Sequence, residues 1–366
     1  MVNFRYAVLF VILFSLAKIA PAQDTAYWYK CFKGTIDKYP FTLHLHKLDH
    51  TYSGYYYYNN VQQPLSLLGE DTSAAGQIKL LGYSPRFEAE NELFTLTLQG
   101  DSLKGKWEKD LSASGEGLQV KAASDQSAAL RFDLVYTSGS EKLRPKMEQS
   151  PVASFEAATV WPKGNSAAIT ALKKIIAAEL GAKNSPADIG SYLLAEKKSY
   201  LSGYLKDNKA VPDSELVSFS SGYFQDATNR LLIVYQSPTI LTLANFNYSY
   251  TGGAHGNYNT SYISINPATG RQYTLTQVLS PAGKKQLNAL LAKHFRRDRK
   301  LSAGSPLTEG GLFDDKLEAT DNFFLTGTGI GFSYAPYEIG PFAMGEIIIF
   351  IPYSDFGKNL NPSFRK

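Results

Sequence analysis

Cysteine is nearly absent from this chain: Cys31 is the only one in 366 residues. No internal disulfide can form, so stability must come from packing, and the lone thiol is expected to be buried and inert. Histidine is scarce as well. His44, His46, His50, His255 and His294 are the full set, and none stands in an H-x-x-x-H or similar array, so no metal and no cofactor is expected. An excess of either charge is also missing. Of 37 basic residues Arg5 and Lys18 lie in the leader, which leaves 35 against 33 acidic ones. A balance this close to neutral gives no electrostatic footprint for nucleic acid. Beyond the first 22 residues no apolar run approaches the roughly 20 residues needed to span a bilayer.

What is present starts with a leader. Arg5 supplies a positive n-region, Ala7 to Leu16 is almost unbroken apolar sequence, and Ala20-Pro21-Ala22 offers small residues for cleavage before Gln23. The apolar run is too short for an anchor and Lys18 interrupts it. Cys31 follows Tyr29-Lys30, which does not resemble the small apolar residues before a lipidated cysteine. A cleaved signal peptide over residues 1–22 and export as a soluble protein, to the periplasm or outside the cell, are therefore expected.

Residues 24–140 read as short strands. Phe41, Leu43 and Leu45 alternate with Thr42, His44 and His46 at the period of a half-buried strand. Further strand-like runs start at Tyr55, Leu65, Gln77, Leu93 and Leu103, and Phe132–Tyr136 closes the series. Such a meander predicts an all-β domain, an up-and-down sheet or small barrel. Residues 141–151, with Pro145 and Pro151, read as a linker.

The remainder predicts an α+β part, helices packed on a mainly antiparallel sheet. Ser166 caps a helix bearing Ile169, Leu172, Ile176 and Leu180, with Gly181 as its stop. Ser185-Pro186 opens another, with Asp188 in its first turn. Strands are expected at Leu216–Tyr223, Leu231–Tyr235, Leu241–Tyr250, Tyr262–Ile265 and Gln272–Leu275. Ser280-Pro281 starts a helix carrying Leu287, Leu290, Leu291 and Phe295. Asn322–Leu325, Ile330–Tyr334 and Glu346–Ile351 are expected to be the last strands.

Tyr250-Thr251-Gly252-Gly253-Ala254-His255-Gly256, a hairpin turning at Thr269-Gly270, a Leu-rich helix, and then Phe323 through Tyr334 into Ala335-Pro336-Tyr337-Glu338-Ile339-Gly340-Pro341-Phe342 form an ordered set of motifs. Over residues 150–358 this set resembles the extracytoplasmic domain family found in the anti-sigma factor RsiV and in the non-catalytic part of the peptidoglycan deacetylase PdaC. The resemblance divides the region into a PdaC-like part, 152–252, and an RsiV-like part, 253–358. It implies an α+β fold and an extracytoplasmic recognition role, with lysozyme or peptidoglycan as partner. The catalytic domain, membrane helix and sigma-binding segment of those relatives have no counterpart in these motifs.

Within the motifs, Gly252 and Gly253 are expected to shape a turn. His255 either contacts a ligand or fixes its loop by hydrogen bonding, and the second is preferred. Tyr334, Tyr337 and Glu338 are read onto one loop, where they either pack over the core or bind a partner. His44 and His46 are read as an ordinary polar outer face. The tyrosine run 55–58 is read as sheet packing, and the basic run His294–Lys300 as cations suited to a helix C-terminus. Glu116, Asp314, Asp315 and Asp321 show no paired-carboxylate pattern for glycoside hydrolysis. The reading that follows is a cell-envelope binding protein and not an enzyme. A structural component of the envelope, or a carbohydrate-active enzyme whose site assembles only in the fold, are the alternatives.

Overall fold

The computed structural model describes residues 27–83, 92–109, 117–128 and 130–365. The leader and Glu116 lie outside the described residues. Eight strands, β1 Trp28–Ile36, β2 Tyr39–Leu48, β3 Thr51–Tyr58, β4 Leu65–Asp71, β5 Gln77–Tyr83, β6 Glu92–Gln99, β7 Ser102–Glu108 and β8 Leu118–Ser124, follow one another antiparallel, and β8 pairs back onto β1 to close a barrel. Alternation decides what fills it. Phe32, Ile36, Phe41, Leu43, Leu45, Tyr56, Phe94 and Leu103 point inward as one buried cluster. Lys79, Lys104, Lys106 and Lys121 stand exposed on the wall. A transmembrane barrel has the reverse pattern, with an apolar band facing outward. Gly34 lies where β1 meets β8, and a Cβ there would sit 2.0 Å from the Lys121 carbonyl oxygen.

Closure leaves no barrel edge for the next strand. The strand expected to end the N-terminal series therefore belongs elsewhere. β9 Phe132–Lys142 pairs along its length with β10 Val152–Pro162, and the segment read as a linker is largely the connection between these partners. A six-stranded sheet continues through β11 Gln225–Gln236, β12 Leu241–Tyr250, β13 Asn257–Asn266 and the short β14 Arg271–Gln272. Among the described strands only β10 and β11 run parallel. The crossover between them carries α1 Ala167–Glu179, α2 Ile189–Asp207 and α3 Asp213–Ser218. Because β12 pairs with β13, the sheet runs without a break across position 252/253, where the resemblance divides the region.

α1 starts and stops as its sequence dictates. The Ser166 hydroxyl accepts from Ile169 N, while Gly181 at φ 83° allows the Ala182 and Gly181 amides to cap Ala177 and Ala178. α2 starts later than expected: Asp188 is its cap, accepting from Gly190 and Ser191, rather than a first-turn acid. Leu216–Tyr223, expected as a strand, is α3 and a 3-10 turn. Pro212 and the acids Asp213 and Glu215 suit a helix start, and only Leu216 of α3 is buried. The Gln272–Leu275 strand is likewise cut short, since Thr274 caps the short helix α4 Leu275–Val278. The last part packs α5 Pro281–Asp298 onto a three-stranded sheet of β15 Phe323–Leu325, β16 Gly329–Tyr334 and β17 Ile347–Pro352, with Leu287, Leu291 and Phe295 against Leu325, Ile330, Phe332, Ile349 and Ile351. α6 Tyr353–Phe356 follows and covers the same core. The whole is an all-β barrel followed by an α+β part.

His44 and His46 do not form a solvated outer face. They point away from the barrel interior, but the six-stranded sheet covers them, and both are buried. The His46 ring stacks on Tyr29 at 4.8 Å. Its Nδ1 lies 3.2 Å from the Ser53 carbonyl and its Nε2 accepts the Ile233 amide of β11 at 3.2 Å. Accepting at Nε2 requires the neutral tautomer protonated on Nδ1. Tyr29 and Tyr57 hydroxyls bracket His44 at 2.8 and 3.3 Å. The tyrosine run serves the same junction. Tyr56 fills the barrel, whereas Tyr57 turns outward onto Tyr235 at 5.2 Å and Tyr55 joins the cluster of Tyr262 and Phe324.

Replacing His46 by Leu would strand the buried Ile233 N–H, and should lower unfolding free energy by about 1–3 kcal/mol in urea titrations. The junction also carries a pH dependence. Burial holds both imidazoles down to about 3, helped at His44 by Lys33 and at His46 by His44. In the unfolded chain they titrate near 6.5. Between these values the unfolded chain binds protons that the native chain refuses, so stability is complete above pH 6.5 and falls as pH drops toward 3. The stability advantage of the native protein over a His44→Phe variant should shrink by about 1.4 kcal/mol per pH unit in that window. A constant difference from pH 7 to pH 4.5 would contradict a neutral, buried His44.

Candidate functional site: the loop end of the six-stranded sheet

β12 ends and β13 begins at one end of the sheet, and Gly252 and Gly253 make the connection at φ 89° and 101°. A Cβ on Gly252 would lie 2.7 Å from the Gly222 carbonyl oxygen, so the loop also needs a bare backbone where it presses on the turn before β11. His255 is exposed. Its Nδ1 lies 3.0 Å from the Gly256 carbonyl, and its ring stacks on Phe342 at 4.0 Å. Phe342 also meets Tyr337 at 5.4 Å and Tyr258 at 5.8 Å. Residues from two distant motifs thus form one aromatic cluster.

The structure separates the residues that the sequence placed on one loop. Tyr334 is the last residue of β16, 1 % exposed, with its hydroxyl donating to the Glu318 carbonyl at 2.6 Å. It anchors the loop and presents nothing to a partner. Tyr337 is 56 % exposed. Its φ of 70° is rare for a bulky residue. The tight turn holds it there, since Glu338 N donates to the Ala335 carbonyl and Glu338 Oε2 accepts the Ala335 amide at 2.8 Å.

Several residues of this surface escaped the sequence reading. Phe313 is 59 % exposed, and its amide donates to the Ile339 carbonyl, which fastens the 309–321 loop beside Tyr337. Glu309, Asp314, Asp315, Glu318 and Asp321 are exposed on that loop. From Glu309 to Glu346 the chain has seven acids and a single base, Lys316. Glu346 lies nearer the core. Burial raises its carboxyl above the usual range, although the Thr260 hydroxyl donates to it at 2.9 Å. The available sequence signal was this run of acids, which spacing alone does not connect to Tyr337.

A second cleft, about 440 Å³, lies between barrel and sheet and is lined by Cys31, Lys33, Tyr57, Asp125 and Tyr235 among others. Its charges are already paired, Lys33 to Asp125 at 2.8 Å. Cys31 is half-buried in the cleft wall rather than fully enclosed, and desolvation pushes its thiol up to about 12, with Asp125 adding to the effect, which favours the protonated form near neutral pH. The basic run at the end of α5 is also committed internally. Arg296 donates to the Ser305 carbonyl, Arg297 pairs with Asp298, and His294 Nε2 lies 2.9 Å from Asp355. Among the described residues no cluster of three or more His, Cys, Asp or Glu could hold a metal, and no helix is long and apolar enough to cross a membrane.

The fold and this surface define a class: an eight-stranded barrel joined to an α+β part whose loops carry an exposed aromatic and acidic face. Residues 277–354, which contain α5 and the three-stranded sheet, match a family described as a protein of unknown function, DUF3298. The match falls inside the region where the RsiV-type motifs were read. A solved structure of a DUF3298 family member from Bacteroides fragilis is 23 % identical, covers 65 % of this chain and 96 % of its own, and superposes with a TM-score of 0.57, a likeness of fold. A DUF3298 family protein from Pseudomonas aeruginosa is 16 % identical, with 64 % of this chain and 96 % of that one covered and a TM-score of 0.43. No curated protein matches the chain.

Substitution at the two glycines should separate shape from space. Gly253→Ala meets nothing within 4 Å and should cost only the left-handed strain, about 1–2 kcal/mol. Gly252→Ala adds the clash with Gly222 and should cost about 2–4 kcal/mol. Equal losses in denaturant unfolding would show that Gly222 does not constrain the loop.

Proposed function

We propose that this chain is an exported, soluble binding protein of the cell envelope, of the RsiV type, and that it recognises a basic protein partner of the lysozyme kind rather than catalysing a reaction. The observation that carries the reading is the pairing of exposed Phe313 and Tyr337 with Asp314, Asp315, Glu318 and Glu338 on two loops fastened to each other. With 35 basic against 33 acidic residues beyond the leader, the chain as a whole offers a basic partner no attraction. A local acidic field removes that objection: it steers a cationic protein and sets the on-rate. The aromatic side chains supply the contact area, since exposed rings on a rigid turn bury much surface with little entropy loss. Tyr337 is held in a backbone region that costs about 1–3 kcal/mol, and a strained, exposed aromatic is the pattern expected where function maintains it. Export rests on the leader at residues 1–22.

The test is capture of lysozyme by the mature chain, with binding kinetics measured at two salt concentrations. Tyr337→Ala should weaken binding by about tenfold or more. Glu338→Lys should mainly slow association, with the effect fading as salt rises. Absence of lysozyme binding, or unchanged binding by both variants, would remove the reading.

A further inference from the structure

On the opposite face of the same strands lies a feature of different chemistry. β11, β12 and β13 pair so that Asn229, Asn247 and Asn259 stand side by side in one row. Ser249 and Asn257 pair in the row beyond. Alternation along β13 places Asn257 and Asn259 on one face and Tyr258, with its contact to Phe342, on the other. The asparagine face is the one that carries the helices, since Asn245 donates to the Glu179 carbonyl at the end of α1 and Phe155 packs on Tyr200 of α2. Past the end of that helical cover the row floors an open groove of about 300 Å³, walled by Phe155. Every residue lining the groove is uncharged.

We propose that this groove binds an uncharged oligosaccharide bearing acetamido groups. Three amides at strand spacing reach across about 10 Å, enough for two linked sugar rings. Each asparagine offers both a donor and an acceptor, the pair that a sugar hydroxyl or an acetamido group requires. The row already shows amide recognising amide: Asn229 Nδ2 donates to Asn247 Oδ1 at 2.6 Å. Asn229 Oδ1 is enclosed and out of a ligand's reach, so direct contacts fall to the amides that remain open on the row. Asn257 and Asn259 are exposed on β13. Phe155 gives an apolar wall for an acetamido methyl or the face of a sugar ring. The neutral lining disfavours a free anion, which would lose its hydration without gaining a counter-charge. This inference shares the envelope location with the function proposed above but uses the other face of the sheet, so either can fail alone.

Triacetylchitotriose, titrated into the mature chain and followed by calorimetry and by the asparagine side-chain NH₂ resonances, is the direct probe. Binding is expected with shifts at Asn247 and Asn259, and cellotriose, which lacks the acetamido groups, should bind weaker by about tenfold or more. Asn259→Ala should reduce affinity by about tenfold with an unchanged thermal midpoint, because its side chain is exposed. Tyr337→Ala should leave chitotriose binding untouched, and Asn259→Ala should leave lysozyme capture untouched. No chitotriose binding, equal affinity for cellotriose, or shifts that avoid the asparagine row would each overturn the proposal.

Discussion

The tertiary arrangement depends on two imidazoles that must stay neutral. His46 holds the carbonyl of one barrel strand with one ring nitrogen and the amide of a strand in the six-stranded sheet with the other. His44 is clasped between Tyr29 and Tyr57 at the same junction. A closed barrel has no edge to offer, so the two halves cannot continue each other's hydrogen-bond ladder. They meet face to face, and a buried contact of that kind has to satisfy each polar atom on both walls. Histidine suits the position because a neutral ring is donor and acceptor at once, flat enough to stack on Tyr29, and uncharged at neutral pH once desolvated.

The junction fixes how the rest of the sheet is used. One face of β11 to β13 is covered by the barrel and the three-stranded sheet, and the other by α1, while α2 packs beside it on β9 and β10. Toward the loop end the strand residues are half-buried or exposed rather than fully covered. There the period of two sorts side chains into chemically distinct surfaces. Tyr258 joins the aromatic cluster with His255, Phe342 and Tyr337 on one side, and the asparagines line a neutral groove on the other. The acidic 309–321 loop is brought to the aromatic side by the bond from Phe313 to Ile339 and by the Tyr334 hydroxyl on Glu318.

Much of the architecture was legible in the sequence. Local signals worked where the chain answers to its own neighbours. The alternation of Phe41, Leu43 and Leu45 marks the barrel interior, Ser166 and Gly181 bound α1, and Ser280-Pro281 opens α5. They misled where a segment's apolar content was short. Leu216–Tyr223 has apolar residues enough for a strand, but Pro212 and two acids favour a helical turn. The candidate site was legible in part. His255 and Tyr337 were singled out and do come together, yet through Phe342, while Tyr334 turned inward because the last position of β16 faces the core.

Local signals along the chain settle the fold class, both ends of α1, the start of α5, the glycine-dependent loop at 252–253 and the absence of any internal disulfide. These follow from short-range sterics, from the period of apolar residues and from counting. Tertiary packing, in contrast, sets Phe132–Lys142 in the second sheet, His44 and His46 in the interior, and four asparagines from three strands around one groove. Those outcomes depend on which face meets which layer and on register between distant strands, and a linear pattern specifies a face without naming what covers it.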